Sequence, residues 1–583
     1  MWAGNFPAIA TNVKPARCYD GRMRGFSFLG AALLFVACGG DDGGANGGGD
    51  GGSGQDGGGQ DGGDRDGGAD GDSGPVTPPS PTCTAPIQAA DASNPTTVVG
   101  TGTAASCTHS ALAAAIAKGG VVTFDCGAAD ATIAVTATLD VPTDKDTVID
   151  GGKRVTLDGG GAVRILSWNS ANYRANGHTL TLQRITLANG KATGTKQYPP
   201  APAPCSQGYY DGAGGALNMR DGVLHVIDAA FTNNQAAPIG PDVGGGAIYL
   251  SGSKGAIVVG SIFTNNSASN SGAIGALNSE LDVYNSVFTG NKALGNGANS
   301  DDANKCAVLD PVTMQHQVGS GGNAGAVGID GGSDGTHTFC GSVFRRNAGG
   351  TGALGGAIAR TPDGAKMTTN IDRCLFDSNT ADGAGALYFH NSNLTITAST
   401  FSANVGQGTG TIQADGTTID FTNVTFAGDH SAKSVGAALS LFGVDGRIVN
   451  CTFSGNVCDA ANMFGAAVFG GPTLSVQNTI FASNTATNPT EPMQCKMTAT
   501  GSGDLQWPDK KSNGTTADQA CVTGITFADP KLGPLKDNGG AVPTMIPAAG
   551  SPAIGKGTSC PPTDARGKMR PSTGCTAGAA EAM

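Results

Sequence analysis

The stretch GALYFHNSNLTITASTFSANVG, residues 385–406, holds one full turn of the pattern that decides the fold. Leu394, Ile396 and Ala398 alternate with Thr395, Thr397 and Ser399, the period-two signature of a strand with one buried face. The HNSN before that strand and the SAN after it are turn chemistry, because Asn tolerates left-handed backbone and hydrogen-bonds its own main chain. The same layout returns in GAIVVGSIFTNN, SELDVYNSVFTGN and GPTLSVQNTIFASN, and none of these carries helical periodicity longer than a turn.

Outward from that stretch, the Phe of the pattern recurs at Phe231, Phe263, Phe288, Phe344, Phe376, Phe401, Phe426, Phe453 and Phe481. Successive gaps are 32, 25, 56, 32, 25, 25, 27 and 28 residues. The gap of 56 reads as two coils plus an inserted loop, so one coil takes about 25 residues. A unit of that length cannot bury its own apolar face and must stack on its neighbours. The predicted class is all-β, a parallel β-helix or solenoid in which each coil pairs with the next.

Stacking then assigns each repeated position. One Phe per coil predicts an interior aromatic column. Asn234, Asn266, Asn291, Asn347, Asn379, Asn404, Asn456 and Asn484 predict an amide ladder at one corner, which Asp429 interrupts in the Phe426 coil. Gly215-Ala216, Gly246-Ala247, Gly356-Ala357 and Gly385-Ala386 are expected where the chain turns tightly or packs backbone on backbone. These are structural positions, and no catalysis is expected of them.

Gly supplies 95 of 583 residues and charged residues only 14%. The formal net charge is −12, of which nine Asp and one Arg in residues 39–74 contribute −8, leaving −4 for everything else. A nearly neutral folded part with no basic stripe argues against nucleic acid as a partner. The run GGDDGGANGGGDGGSGQDGGGQDGGDRDGGADGDSG lacks apolar side chains and reads as a flexible, self-repelling tether over residues 39–82. It lacks the fixed apolar position of calcium-binding nonapeptides.

Before the tether, MRGFSFLGAALLFVAC, residues 23–38, reads as a signal peptide with Arg24 as its basic start. The apolar run Phe26–Val36 is too short to span a bilayer. Residues 1–22 are expected to be an upstream mis-start. Ala37-Cys38-Gly39 resembles the bacterial lipobox, although Phe35 stands where that pattern prefers Leu, Val or Ile. The resemblance implies lipid on Cys38, with Gly39 rather than the inner-membrane retention Asp after it. The expected location is therefore the outer membrane, at the cell surface, with the lipid as the membrane contact. The alternative is an ordinary cleaved signal with Cys38 incidental.

Beyond Cys18 and Cys38 there are thirteen cysteines, an odd number, which fits export to an oxidising compartment and leaves at least one unpaired thiol. Proximity in sequence suggests Cys107–Cys126, Cys205–Cys306, Cys495–Cys521 and Cys560–Cys575. No CxxC or Cys/His cluster has zinc spacing, so no metal site is expected.

A solenoid needs covered ends. CTHSALAAAIAKGG, residues 107–120, predicts a capping helix with Thr108 or Ser110 as N-cap, an apolar face of Leu112, Ala115 and Ile116, and Gly119 as its stop. It leads into VTFDCG, TIAVTATLDV and DTVIDGGKRVTLDGGGAVRIL, the first coils. The solenoid is expected over residues 83–528, with insertions near 191–213 and 292–323. Residues 529–583 leave the repeat as an irregular, Pro-rich cap.

These opening coils, followed by LTLQRITLANG and the GGAI…F..N coils, resemble the bacterial single-stranded right-handed parallel β-helix surface proteins of the pectin-lyase-like superfamily. They overlap polymorphic outer-membrane-protein repeats. The C-terminal run resembles a choice-of-anchor Q domain through Asp529-Pro530, Leu532-Gly533-Pro534-Leu535, Asn538-Gly539-Gly540, Gly550-Ser551-Pro552-Ala553-Ile554 and Thr563-Asp564-Ala565-Arg566-Gly567. Its closing phrase survives as Cys575, Gly578, Ala579 and Glu581, with Ala580 in place of an aromatic residue. The resemblance implies a surface location and does not imply an activity.

That superfamily includes pectate lyases and polygalacturonases. A lyase needs carboxylates that hold calcium beside an Arg or Lys base, and a hydrolase needs two acids at a set separation. The hydrolase motifs are absent, and Asp301-Asp302 lies in an insertion with no His nearby. Asp330 and Asp334, with His337 close in sequence, read as a calcium turn or as a plain polar turn. Arg345 and Arg346 facing Arg373 on the next coil would make a basic patch for acidic sugars, or a solvated corner. His390, near Tyr388, is the lone His best placed for a groove. No set passes as catalytic. The expectation is a non-catalytic display, adhesion or binding protein, with a polysaccharide or surface protein as partner and no cofactor. The alternative is a polysaccharide lyase or glycoside hydrolase, and calcium would enter only as part of a lyase.

Overall fold

The computed structural model describes residue 80 and residues 82–195, 211–238, 243–295, 322–331, 335–350, 353–361, 366–471, 473–497 and 499–582. The signal peptide with Cys38, the tether, Cys205, Cys306 and Asp334 lie outside the described residues, as does most of both insertions. Between the ends of the solenoid, successive coils contribute strands to three long sheets in the same order. Leu387–His390, Ser392–Thr397 and Thr400–Ser402 are the set in the decisive stretch. The sheets they belong to, here sheets 1, 2 and 3, hold 12, 14 and 14 strands, and strand neighbours within each are parallel. Shorter pairs such as Val405–Gly406 on His430–Ser431 follow sheet 3. The chain is a parallel β-helix, and its core is the interior of the coils.

The Phe column forms as the period requires. From Phe231 to Phe481 adjacent rings stack with centroids 4.7–5.2 Å apart and planes within 11° of parallel. The gap of 56 is not two coils, however: Phe288 pairs directly with Phe344, ring on ring at 4.8 Å. An insertion lengthens one coil without changing which residues meet across coils, so spacing alone cannot separate the two cases.

The Asn ladder also forms, fully buried. Asn379 Nδ2 donates to Asn404 Oδ1 on the next coil at 3.0 Å and to Phe344 O at 2.9 Å. Asn266, Asn291 and Asn347 repeat that arrangement. The residue just before each rung has a positive φ, which explains Asn233, Asn265 and Gly290 there and puts Arg346, Ser378 and Ala403 in the strained left-handed region. The Gly of a Gly-Ala pair is equally constrained: a Cβ on Gly356 would lie 1.9 Å from Gly385 O.

A second ladder follows the corner between sheets 2 and 3. Ser261, Ser286, Ser342 and Ser399 offer Oγ to the backbone N–H one coil earlier. Cys374 and Cys451 occupy this corner in their own coils, and Cys451 Sγ accepts from Val424 N–H at 3.4 Å. Among the described residues that position accounts for two of the three unpaired thiols, Cys374, Cys451 and Cys458. Burial pushes each of the three up to about 12, so they stand as inert thiols.

The ends are closed at both sides. The helix His109–Lys118 uses Thr108 as its N-cap, accepting from Ala111 N–H, and buries Leu112, Ala115 and Ile116. Cys107–Cys126 ties it to the first coil. Cys495–Cys521 and Cys560–Cys575 also form. A fourth bridge, Cys83–Cys340, spans 257 positions and pins the segment before the helix to the middle of the solenoid. That segment runs along the corner between sheets 2 and 3: Asn285 binds Thr82 and Cys83, and Gln183 binds Ala90.

The C-terminal segment does not simply close the last coil. It returns along the same corner, where Asn423 Nδ2 donates to Thr563 O, Asn450 Nδ2 to Thr576 O, and Asn478 Nδ2 to Thr558 O. Its sequence hallmarks lock one another. Asp564 binds Arg566 and the N–H of Glu581, while the Glu581 carboxylate binds Thr576 and Arg570. These residues hold the segment shut and are not free for chemistry.

Candidate functional site

The outward side chains of sheet 1 form two rows along the solenoid axis, set by register. One row reads Asn218, Tyr249, Gly275, Gly328, Ala359, Tyr388, Gln413, Ser440, Phe469 and Lys496. The other includes Arg220, Ser251, Leu277, Asp330, Thr361, His390, Asp415 and Phe442. At about 4.8 Å per strand, Tyr249 and Tyr388 stand roughly 19 Å apart, and Phe469 is roughly 14 Å further on. Between the two tyrosines the floor is Gly275, Gly328 and Ala359. It must stay small: a Cβ on Gly328 would lie 2.0 Å from Ser271 Oγ, and one on Gly275 2.9 Å from the Tyr249 ring. The result is a small recess lined by Tyr249, Asn270, Ser271, Asn323, Asp330 and Thr361, and the outward rows that hold it, here called the trough, carry Tyr388 and Phe469 further along.

Its polar centre is at His390. The register sets His390 beside Asp415 and Tyr388 beside Gln413. Gln413 Nε2 donates to Asp415 Oδ2 at 3.0 Å, and Thr409 Oγ1 donates to Gln413 Oε1 at 3.2 Å. Burial pushes the Asp415 carboxyl above the usual carboxylate range, opposed by its hydrogen bonds to Tyr388 and Gln413. Burial, and then the Asp415 charge, push the Tyr388 phenol up. Both groups therefore keep their protons more tightly than in water, which suits hydrogen bonding to neutral hydroxyls. Asp415 was not singled out from the sequence. Its signal was there, because one 25-residue repeat added to His390 gives Asp415.

The other sequence candidates fall apart. Asp330 ends its strand and accepts from Thr361 Oγ1 at 2.9 Å and from Gly331 N–H at 2.8 Å. His337, expected beside it, is wholly buried in the core. Arg345 does not face Arg373: its partner on the next coil is Asp377, bonded at 2.9 Å. Arg346 sits on the Asn corner, while Arg373 sits on the other corner, bonded to Asp372 and to Thr82 O. The expected basic patch is two separate ion pairs, since one repeat step from Arg345 reaches Asp377. Arg373 instead lines a cleft of about 590 Å³ where the N-terminal and C-terminal segments meet.

On the trough, Asp330 and Asp415 are three strand steps apart, roughly 14 Å. Paired acids of glycoside hydrolases stand roughly 5–10 Å apart. The three-residue group Cys83, Cys340 and Asp372 contains a disulfide and offers no thiolate for a metal. Among the described residues no helix is long and apolar enough to cross a membrane. No protein-family model matches the chain, and no curated protein matches it either.

Proposed function

We propose that this chain is a lipid-anchored, cell-surface β-helix of the pectin-lyase-like superfamily whose sheet 1 trough binds an extended polysaccharide without cleaving it. The observation that carries the reading is the trough itself. Aromatic faces of Tyr249, Tyr388 and Phe469 share one outward row with the hydrogen-bonding groups of Asn218 and Gln413, and His390 and Asp415 stand in the row beside it. Sugar rings present both an apolar face and hydroxyls, and such a pair of rows meets both. The C-terminal phrases that resemble a choice-of-anchor Q domain, and the lipobox-like Ala37-Cys38-Gly39, support the surface location.

Two outcomes test this reading. Tyr388→Ala is expected to weaken polysaccharide retention by roughly tenfold, the loss of one stacked ring, and because the ring is only partly exposed and bonded to Asp415, thermal unfolding of the variant is followed alongside to confirm that it folds. Unchanged retention moves the site elsewhere. Cys38→Ala is expected to release the protein from the outer-membrane fraction, and continued sedimentation with that fraction contradicts the lipid anchor. The enzymatic alternative, a lyase or glycoside hydrolase, has one observation in its favour: Asp415, Tyr388 and His390 gather three titratable groups in the trough.

A further inference from the structure

Three parts of the chain that lie far apart in sequence meet at the cleft of about 590 Å³ beside Arg373. Thr82 comes from the N-terminal segment pinned by Cys83–Cys340. Asp372, Thr397 and Thr422 are the last residues of three successive sheet 2 strands, and the register sets them in one row. The C-terminal segment supplies Gly540 and the run from Thr563 to Gly567. Two sequence phrases of that segment are thus brought face to face, and a Cβ on Gly540 would lie 2.7 Å from Arg566 Cα. A cleft of this volume falls in the range of small-ligand sites, roughly 300–1,000 Å³.

The chemistry of its wall narrows what can sit there. Each cation is matched by its own acid: Arg373 lies 2.6 Å from Asp372, and Arg566 lies 2.6 Å from Asp564. An ion of either sign therefore meets its like about as closely as its opposite and gains no net attraction. No aromatic ring is among the described residues that line the cleft, so a flat ring finds no stacking partner. What remains is hydrogen bonding. Thr397 Oγ1 gives its proton to Asp372 Oδ1 at 2.7 Å and so faces the cleft as an acceptor. Arg373 spends Nε on Asp372 and one Nη1 proton on Thr82 O, both at 2.8 Å, which leaves its second Nη1 proton. The hydroxyls of Thr422 and Thr563 have no hydrogen bond among the described residues.

Donors and acceptors stand side by side there without net charge. A hydroxyl both donates and accepts, so a compound that carries several of them meets both kinds. We propose that this cleft binds one small, neutral polyhydroxy compound, a monosaccharide or a cyclic polyol. The bound compound touches the N-terminal segment, the coils and the C-terminal segment at once, and so ties all three together. The site is separate from the sheet 1 trough and does not rest on it, since Thr422 and Tyr388 belong to different sheets.

The test follows thermal unfolding of the full chain in rising glucose, galactose, mannose and inositol, with glucuronate and glucosamine as charged counterparts. At least one neutral compound is expected to raise Tm by about 2 °C, with saturation in the millimolar range. A rise that only grows in proportion to concentration is the general effect of excluded solutes and overturns the proposal. A saturable rise confined to the charged compounds overturns it as well. Thr422→Val removes a hydroxyl that has no partner in the protein, so it is expected to fold and to weaken the binding roughly fivefold. Tyr388→Ala is expected to leave the binding as it was. Unaltered affinity in Thr422→Val, or loss of the rise in Tyr388→Ala, overturns the site. Crystals of the native protein soaked in the same compound need no variant. Density between Arg373 and Thr563 supports the site, and density elsewhere, or none, overturns it.

Discussion

Asp429→Asn is expected to stabilise the solenoid by on the order of 4 kcal/mol at pH 8 and to change little at pH 4. Asp429 occupies a rung of the Asn ladder and is fully buried. Its Oδ1 accepts from both Asn404 N–H and Asn404 Nδ2 at 2.9 Å, while its Oδ2 has no donor in hydrogen-bond geometry. An Asn there would restore the missing donor, as Asn404 Nδ2 does toward Phe376 O and Asn456 Nδ2 toward Phe426 O. Burial instead pushes the Asp429 carboxyl from 3.8 up to about 7. Below the lower value both folded and unfolded chains hold the proton, and nothing is lost. As pH rises between the two values the unfolded chain releases its proton while the folded chain keeps it, so stability falls. Above the upper value the loss is complete and constant. Asp504, pushed up to about 8 by burial, adds a dependence of the same sign to both proteins, so the difference between them isolates Asp429. Chemical unfolding of the two proteins at both pH values measures it. An equal fall in stability in both would show that Asp429 is not the titrating rung.

Phe401→Ala is the other large effect, an expected loss of about 3–5 kcal/mol. The Phe401 ring is fully buried between Phe376 at 4.7 Å and Phe426 at 4.9 Å. Removing it leaves a gap that two stacked neighbours cannot close, because each is held by its own coil. A solenoid's stability is a sum of neighbour terms, so the damage stays local. Hydrogen exchange is the suitable measure. Amides of Leu375–Asp377 and Thr425–Ala427 are expected to lose protection by roughly a hundredfold or more, while those of Thr147–Asp150, many coils away, keep theirs. A uniform loss over all coils would contradict the column as a neighbour-by-neighbour stack.

What repeats at a corner was legible in the sequence, because stacking forces the same residue type to recur at the same step. The Phe column, the Asn ladder, the Thr108 cap and the three short-range disulfides are of that kind or are local. What depends on cross-coil partners was hidden. Cys83 gives no hint of Cys340, since a strap running beside the coils ignores the repeat. Arg345 and Arg373 looked adjacent until the register gave Arg345 an acid, Asp377, and put Arg373 on a different corner. Asp415 was hidden only by not stepping the repeat forward from His390. The C-terminal phrases were recognisable as a resemblance, while their route back along Asn423, Asn450 and Asn478 depends on corner residues that no C-terminal motif contains.

The central claim is that the trough binds polysaccharide and does not cut it. The direct measurement presents the immobilised full chain with a panel of acidic and neutral polysaccharides, in calcium and in chelator, and follows both retention and products. The account predicts retention of at least one extended polysaccharide, with no unsaturated product and no new reducing ends. Calcium-dependent unsaturated product would make the protein a lyase, new reducing ends would make it a hydrolase, and failure to retain any polysaccharide would remove the trough as a sugar site.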